Sequence, residues 1–211
     1  MEIYSTEEQQ EEAIKRFFKE NGISIALGIV IGLGGLYGWK SYNQHQITSA
    51  EQASDAFNKV VDSSADENAD VLAQSEAFIS EHEGSSYAVL AAFVAAKEAV
   101  DADKLDVAVA KLQWAQEHAS TNELKAIATT RLARVQLAQQ NFDAAMSTLS
   151  AELPASYDAA VAELKGDIYL AKGDREQARS AYQSAADKGG LDANPLLQVK
   201  LDDLAAQTPA A

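Results

Sequence analysis

The chain has 211 residues, of which 47% are hydrophobic and 23% are charged, so disorder throughout the chain is excluded. Its 32 acidic and 17 basic residues give a net charge of −15, which disfavours binding to the equally negative backbone of nucleic acids. The absence of cysteine excludes disulfides, thiolate nucleophiles and zinc–thiolate sites. Only three prolines occur, and five of the eleven glycines lie between positions 28 and 38, so the rest of the chain favours long helices.

An uncharged segment of 17 residues, 23–39, follows a 22-residue tail that contains six acidic residues. With its flanking turns the segment is long enough to cross a hydrocarbon core of about 30 Å. Aromatic residues, which favour the headgroup layer, stand at both ends of it: Phe17, Phe18, Tyr37, Trp39 and Tyr42. We therefore predict a transmembrane helix. The alternatives are a buried helix of a soluble protein and a cleaved signal peptide, the latter disfavoured by the long acidic tail and by the lack of a small-x-small cleavage site.

Basic residues near this segment indicate its orientation. Lys15, Arg16 and Lys19 precede it, whereas only Lys40 follows it closely. The positive-inside rule places the N-terminus in the cytoplasm and the remainder outside, which is the periplasm in a Gram-negative cell. The predicted organisation is a cytoplasmic tail (1–22), a transmembrane helix (23–39), membrane-proximal helices (40–84) and a repeat domain with a C-terminal capping helix (85–211).

Small residues recur along the predicted membrane helix at spacings that place them on shared faces. Ser24, Gly28 and Gly32 follow one another at intervals of four residues, and Gly34 and Gly38 form a second pair. Such faces allow another helix to approach closely in the bilayer. We predict a helix partner there, either a second copy or another protein, although glycine is also simply common in membrane helices.

Three stretches after residue 85 share a pattern of small and apolar residues at intervals of 37 and 33 residues. The clearest copy, residues 162–185, resembles a tetratricopeptide repeat, a hairpin of two helices that pack through small residues. Those residues are Ala96, Ala133 and Gly166 in the first helices and Ala108, Ala145 and Ala178 in the second. The predicted fold is all-α, with a short solenoid of hairpins after the membrane helix and a capping helix over 195–206 with Leu197, Leu201 and Leu204 inward.

Polar residues between the apolar stretches predict where these helices begin. A hydroxyl or carboxylate at a helix start accepts hydrogen bonds from free backbone amides. The predicted caps are Asp66, Ser85-Ser86, the capping box Ser120-Thr121-Asn122-Glu123, and Asn194 before Pro195.

Residue types needed for catalysis are not found in a usable pattern. There is no zinc-hydrolase helix motif, no nucleophile elbow and no phosphate loop, and the three histidines (His45, His82 and His118) are interpreted as solvated or capping residues rather than a metal site. We therefore predict no enzyme activity, no cofactor, no metal and no small-molecule substrate.

A binding groove is predicted where the first helices of the hairpins face one side. Its residues are Phe93, Val94, Lys97, Thr130, Arg131, Arg134, Glu163, Leu164 and Asp167. We interpret Lys97, Arg131 and Arg134 as a cationic strip that grades into an acidic end and receives an acidic or extended polypeptide segment. The alternative is that these charges are ordinary solvated side chains.

The layout as a whole resembles the YfgM family. The resemblance rests on the opening MEIYSTEEQQEEAIKRFFKENG, on the glycine-rich span that ends Gly38-Trp39-Lys40, and on the tracts 124–126, 131–135, 173–174 and 178–181. It implies a single-pass inner-membrane protein, an ancillary subunit of the Sec translocon with a periplasmic tetratricopeptide-like domain. It also implies association with SecYEG and with the periplasmic chaperone PpiD.

Two functions remain open at this point. The first is a non-catalytic subunit that links the exit of the translocon to periplasmic chaperones during protein translocation. The second is a membrane-tethered envelope scaffold or stress regulator that acts through its cytoplasmic tail. Deletion of residues 2–14 separates them, because association with the translocon survives only under the first.

Overall fold

The computed structural model describes residues 7–66 and 69–206, and every regular element within those ranges is helical. The longer helices are α1 (Glu7–Ser63), α2 (Val71–Glu81), α3 (Ser86–Asp101), α4 (Leu105–His118), α5 (Asn122–Ala138), α6 (Phe142–Thr148), α7 (Asp158–Ala171) and α8 (Arg175–Asp187), followed by the short α9 (Gly190–Ala193) and by α10 (Leu196–Ala206). A single 3₁₀ turn, Ala155–Tyr157, precedes α7. The prediction of an all-α fold is confirmed. Residues 1–6 of the predicted tail and residues 207–211 of the predicted repeat domain lie outside the described residues.

Contacts divide the chain into two units, Met1–Gln52 and Ala53–Ala211. In the first unit, α1 contains a stretch long and apolar enough to cross a membrane, and none of that stretch is buried. Ile23 and Tyr37, near its two ends, are 87% and 78% exposed. A buried core helix of a soluble protein would be covered by other elements, so that alternative is wrong for the described residues. The boundaries proposed at residues 22 and 39 fall inside the continuous α1 and stay predictions.

The second unit begins within the segment predicted to be membrane-proximal. The last turns of α1 pack through Ala53, Phe57 and Val60 against Phe78 of α2 and Ala91 of α3. Residues 53–81 therefore belong to the same packed unit as the repeats that follow.

The caps of the second unit follow the predicted chemistry, with two corrections. Ser85 caps α3 as predicted, and the Oδ1 atom of Asn194 accepts the amide of Leu196 at the start of α10. Helix α2 is capped by Asp70 rather than Asp66, because the helix begins only at Val71. Helix α5 is capped by Thr121, whose Oγ1 accepts the amide of Leu124. The capping box expected at 120–123 is therefore wrong, because the residue three positions after the cap is leucine rather than glutamate.

Three hairpins, α3–α4, α5–α6 and α7–α8, pack through the small residues that the sequence singles out. All six are buried: Ala96, Ala108, Ala133, Ala145, Gly166 and Ala178. At Gly166 the helices are so close that a Cβ atom would overlap the ring of Tyr182 in α8. Small residues at these positions therefore allow the two helices of each hairpin to pack closely.

Each hairpin turns through one residue in the left-handed region of backbone conformation. These are Asp103, Gln140 and Gly173, with φ of 57°, 58° and 83°. They are separated by the same 37 and 33 residues that separate the repeats. The common turn shows that the three hairpins share backbone geometry as well as sequence pattern.

The C-terminal helix covers the last hairpin, as predicted. Leu197 and Leu204 of α10 are buried against Tyr182 and Ala185 of α8, and Leu201 packs beside them. Gly190 permits the tight entry into this cap, since a Cβ there would lie 2.7 Å from the carbonyl oxygen of Ala185.

Candidate functional site

The candidate site is a cavity of about 340 Å³ between the first helices of the first two hairpins. Its lining residues come from α3, α4 and α5: Phe93, Ala96, Lys97, Val100, Asp101, Leu112, Arg131, Arg134 and Val135. The structure thus brings together four of the predicted groove residues, Phe93, Lys97, Arg131 and Arg134. Because all lining residues belong to the repeat unit, the cavity is formed by hairpin packing alone.

Arg131 and Phe93 form the best-defined contact at this cavity. The guanidinium carbon of Arg131 lies 4.8 Å from the centre of the Phe93 ring, a cation–π arrangement. Phe93 is only 8% exposed, so its ring is part of the cavity wall. Arg131 itself is exposed, and its charge is held at the mouth of the cavity.

Lys97 contributes less positive charge than the sequence suggests. Its Nζ atom lies 2.7 Å from a carboxylate oxygen of Asp101 and 3.3 Å from one of Glu98. The hydrogen bond to Asp101, followed by that to Glu98, raises the pKa of Lys97 above its usual value. The charge of Lys97 is therefore offset within α3, and the predicted cationic strip reduces to Arg131 and Arg134.

Five of the nine predicted groove residues do not line the cavity: Val94, which packs against the cluster around Phe78, the buried Thr130 and Leu164, and the acidic pair Glu163 and Asp167. Thr130 is 5% exposed, and its hydroxyl donates to the carbonyl oxygen of Ala126 in the preceding turn at 2.9 Å. Leu164, at the position equivalent to Arg131, is 4% exposed and lies in the core between the second and third hairpins. The placement of Thr130 and Leu164 in the groove was wrong, because both side chains are buried inside the repeat unit rather than exposed on its surface.

Glu163 and Asp167, the predicted acidic end, hold the capping helix in place. Lys200 of α10 donates to both carboxylates at 2.7 Å. The hydroxyl of Tyr182 donates to Asp167 at 2.7 Å, and the side-chain amide of Asn194 donates to Glu163 at 2.8 Å. This cluster lies outside the cavity lining, so the acidic pair is a structural element rather than a continuation of the cationic strip.

The electrostatics of this cluster follow from its half-buried position. Burial lowers the pKa of Lys200, but the hydrogen bonds and charges of Asp167 and Glu163 outweigh that effect, so its pKa is raised. Burial, followed by the hydrogen bond to Asp167, raises the pKa of Tyr182 well above its ordinary range. Sequence reasoning missed Lys200, although its spacing of 33 residues from Asp167 repeats the interval between hairpins.

Comparison with known proteins covers nearly the whole chain. A family model described as a tetratricopeptide repeat-like domain matches residues 15–206. A protein of Escherichia coli (strain K12) named ancillary SecYEG translocon subunit is 38% identical over 205 residues, 97% of this chain and 99% of that protein. Proteins of the same name from Haemophilus influenzae and Aggregatibacter actinomycetemcomitans are 32% and 34% identical, each over 95% of this chain and 99% of the relative.

The chain belongs to the family of proteins named ancillary SecYEG translocon subunit. The membership confirms the resemblance inferred from the sequence, and it confirms the tetratricopeptide-like character of the hairpins. No solved structure matches the chain significantly.

In this member of the family, the predicted packing face of the membrane helix is open. A Cβ atom at Gly28, Gly32, Gly34 or Gly38 would meet no other atom within 4 Å. Ser24, Gly28 and Gly32 share one side of α1 because residues four apart lie above one another on a helix. The stripe is thus available to a partner helix, and the partner stays a prediction.

The histidines are dispersed in the described part of this chain. His118 stacks on Trp114 with ring centres 4.1 Å apart, His82 packs near Phe78, and His45 is exposed on α1. Among the described residues, no group of three or more histidine, aspartate or glutamate side chains is arranged to hold a metal ion.

Proposed function

We propose that this protein is a non-catalytic ancillary subunit of the Sec translocon, anchored in the inner membrane by α1. The observation that carries the proposal is the full-length similarity to proteins named for this role, which includes both the apolar helix and the hairpins. A tetratricopeptide-like array offers extended surfaces for binding other proteins. Such an architecture suits a subunit that holds partners rather than one that transforms a substrate.

The hairpins would lie in the periplasm, with the N-terminus in the cytoplasm. Support comes from Lys15, Arg16 and Lys19 on one side of the apolar segment against Lys40 on the other. Helix α1 continues without interruption past Lys40 to Ser63, so the apolar segment is followed by further helix. From that side the hairpins would link the channel exit to a PpiD-like chaperone and assist newly translocated chains.

Topology is testable because the chain has no cysteine of its own. Single substitutions Glu12→Cys and Ser64→Cys place a thiol on each side of the apolar segment. A membrane-impermeant maleimide added to spheroplasts is expected to label only Ser64→Cys, and both variants after permeabilisation. Labelling of Glu12→Cys in intact spheroplasts, or release of the mature protein from the membrane, would contradict the proposed anchoring.

Association with the translocon is tested by photocrosslinking from within the membrane helix. A photoreactive residue at Gly28 or Gly32 is expected to crosslink to a SecYEG component, and one at Val30, on the opposite side of the helix, is the matched control. Removal of residues 2–14 is expected to leave co-purification with SecYEG intact. Loss of co-purification on that deletion would instead support a scaffold or regulator that acts through the cytoplasmic tail.

A further inference from the structure

We propose that the cavity between α3 and α5 binds an extended peptide segment in which an acidic side chain stands next to a bulky apolar one. This inference rests on the proposed function as a holder of other proteins and names the chemistry of the partner at one site. The bulky side chain enters the cavity, and the acidic one pairs with Arg131 and Arg134.

The floor of the cavity is apolar. Ala96, Leu112 and Val135 form it and are between 2% and 8% exposed, while Val100 at the edge is 40% exposed. A volume of about 340 Å³ lies at the lower end of the range of ligand pockets, which suits one side chain rather than a folded surface. Burial of an apolar side chain here removes water from both partners.

The mouth of the cavity is positive although the domain is negative. Residues 41–211 contain 13 basic and 26 acidic residues, yet Arg131 and Arg134 form no ion pair within the described part of the chain. Their three-residue spacing on α5 places both guanidinium groups on one side of the helix. Guanidinium groups match the geometry of carboxylates, so the site selects an acidic segment.

The Lys97–Asp101 ion pair keeps this charge available. Asp101 also lines the cavity, and its carboxylate is held by Lys97 at 2.7 Å. Asp101 is the one acidic residue among those that line the cavity, and without Lys97 its carboxylate would be available to the arginines. The pair on α3 therefore leaves the two arginines of α5 without a carboxylate of their own.

The third hairpin provides an internal example of docking at the same positions. Lys97, Arg134, Asp167 and Lys200 are separated by 37, 33 and 33 residues and so occupy equivalent places on α3, α5, α7 and α10. At the last of these intervals, Lys200 of α10 docks on Asp167 through a charge pair. At the equivalent place between the first two hairpins, Lys97 of α3 and Arg134 of α5 carry like charges and cannot form such a pair, so the cavity between them is left for an acidic segment of another protein.

The test uses the full-length protein in detergent micelles and a fluorescein-labelled heptapeptide, Gly-Ser-Glu-Phe-Glu-Ser-Gly. Fluorescence anisotropy is expected to report saturable binding that weakens as salt is added. Two probe variants, one with both Glu replaced by Gln and one with Phe replaced by Ala, are each expected to bind at least about tenfold more weakly. A parent probe that does not bind up to millimolar protein would overturn the proposal.

Protein variants assign the binding to the cavity. The double variant Arg131→Gln and Arg134→Gln is expected to lower the affinity for the parent probe at least about tenfold. The matched control, Arg175→Gln with Arg179→Gln, removes two exposed arginines from α8 and is expected to bind as the wild type does. Equal affinity for both double variants would overturn the assignment, and thermal unfolding of each variant excludes loss of fold as the cause.

Two further measurements separate the possible outcomes. Vesicles of anionic phosphatidylglycerol that compete with the probe through Arg131 and Arg134 would assign the site to lipid and contradict the peptide proposal. Co-purification with SecYEG is expected to persist in the arginine double variant. If SecYEG does not co-purify with the wild-type protein, the proposed function is refuted, and the result says nothing about the cavity. If SecYEG co-purifies but the peptide does not bind, only this inference is refuted.

Discussion

Gly166 illustrates how a single residue sets the distance between two helices. Its position allows the ring of Tyr182 to lie directly against the backbone of α7. Ala96 and Ala133 occupy the equivalent places in the other hairpins, where leucines, Leu112 and Leu149, take the place of the tyrosine. The larger ring in the third hairpin explains why only that hairpin carries glycine there.

We expect Gly166→Ala to lower the free energy of unfolding by about 1–3 kcal/mol, because the added methyl group displaces a buried ring. The measurement is thermal unfolding of the full-length protein in detergent, followed by circular dichroism. Gly84→Ala is the control, because a Cβ at that position meets no atom within 4 Å. Equal effects of the two substitutions would show that the ring contact does not limit packing.

The cluster around Lys200 makes the free energy of unfolding depend on pH in the alkaline range. Tyr182 and Lys200 both have pKa values raised by folding, from ordinary values of 10.0 and 10.5. Above those values the unfolded chain loses protons that the folded chain retains, so stability falls as pH rises from about 10. Below pH 10 the contribution is fully present.

We expect Tyr182→Phe to flatten this alkaline loss of stability, because the variant has no phenol to deprotonate at that position. Melting temperatures at pH 7, 9, 10 and 11 measure the slope for wild type and variant. Tyr87→Phe, which changes a tyrosine that forms no hydrogen bond to a carboxylate within residues 7–66 and 69–206, is the control. A slope that Tyr182→Phe leaves unchanged would contradict the role of this cluster.

Within the repeat unit, the sequence predicts a structural feature well where a single residue type is enough to indicate it. Small residues at Ala108 and Ala145 indicate close helix packing, and Ser85 and Asn194 indicate helix starts, because these effects are local. The groove was predicted less well. The burial of Thr130 and the bond between Lys200 and Asp167 depend on which helix lies alongside, and that information is not contained in one stretch of sequence.

The turns of the three hairpins share one backbone conformation but carry different residues, which the repeat pattern of the sequence does not reveal. Gly173 is a glycine at a left-handed position, but Asp103 and Gln140 adopt the same conformation with side chains. Non-glycine residues adopt it at a cost of about 1–2 kcal/mol. Three equivalent turns with different residues are therefore not equally stable.

We expect substitutions at these turns to have opposite signs. Gly173→Ala is expected to lower the free energy of unfolding by about 1 kcal/mol, whereas Gln140→Gly is expected to raise it by up to about 1 kcal/mol. Both positions are exposed, so packing changes are small. Thermal unfolding of the two variants measures the signs, and destabilisation by both would mean that the turn conformation is not what limits them.

At the scale of the whole molecule, the hairpins and the capping helix form a series in which each member packs on the next. Contacts join α2 to α3, α3 to α4, α4 to α5 and so on to α8, which is covered by α10. Stability in such arrays is approximately a sum of unit and interface contributions. Damage at one end is therefore expected to remain near that end.

We expect removal of residues 194–211 to destabilise the third hairpin selectively. The deletion exposes Tyr182 and Ala185 and leaves Glu163 and Asp167 without Lys200. Hydrogen exchange of the full chain and the truncated chain measures the effect by segment. Faster exchange is expected in α7 and α8, and unchanged exchange in α3 and α4. Faster exchange throughout would indicate one cooperative unit instead.

Packing between neighbours also has a consequence for biogenesis. A chain synthesised from its N-terminus presents α1 before the hairpins, and each later hairpin finds its packing surface already formed by the one before it. Folding can then keep pace with the emergence of the polypeptide, without waiting for distant segments to meet. The cover by α10 comes last among the described helices, so a product that stops before Leu196 would leave Tyr182 and Ala185 of α8 exposed and open to association with other apolar surfaces.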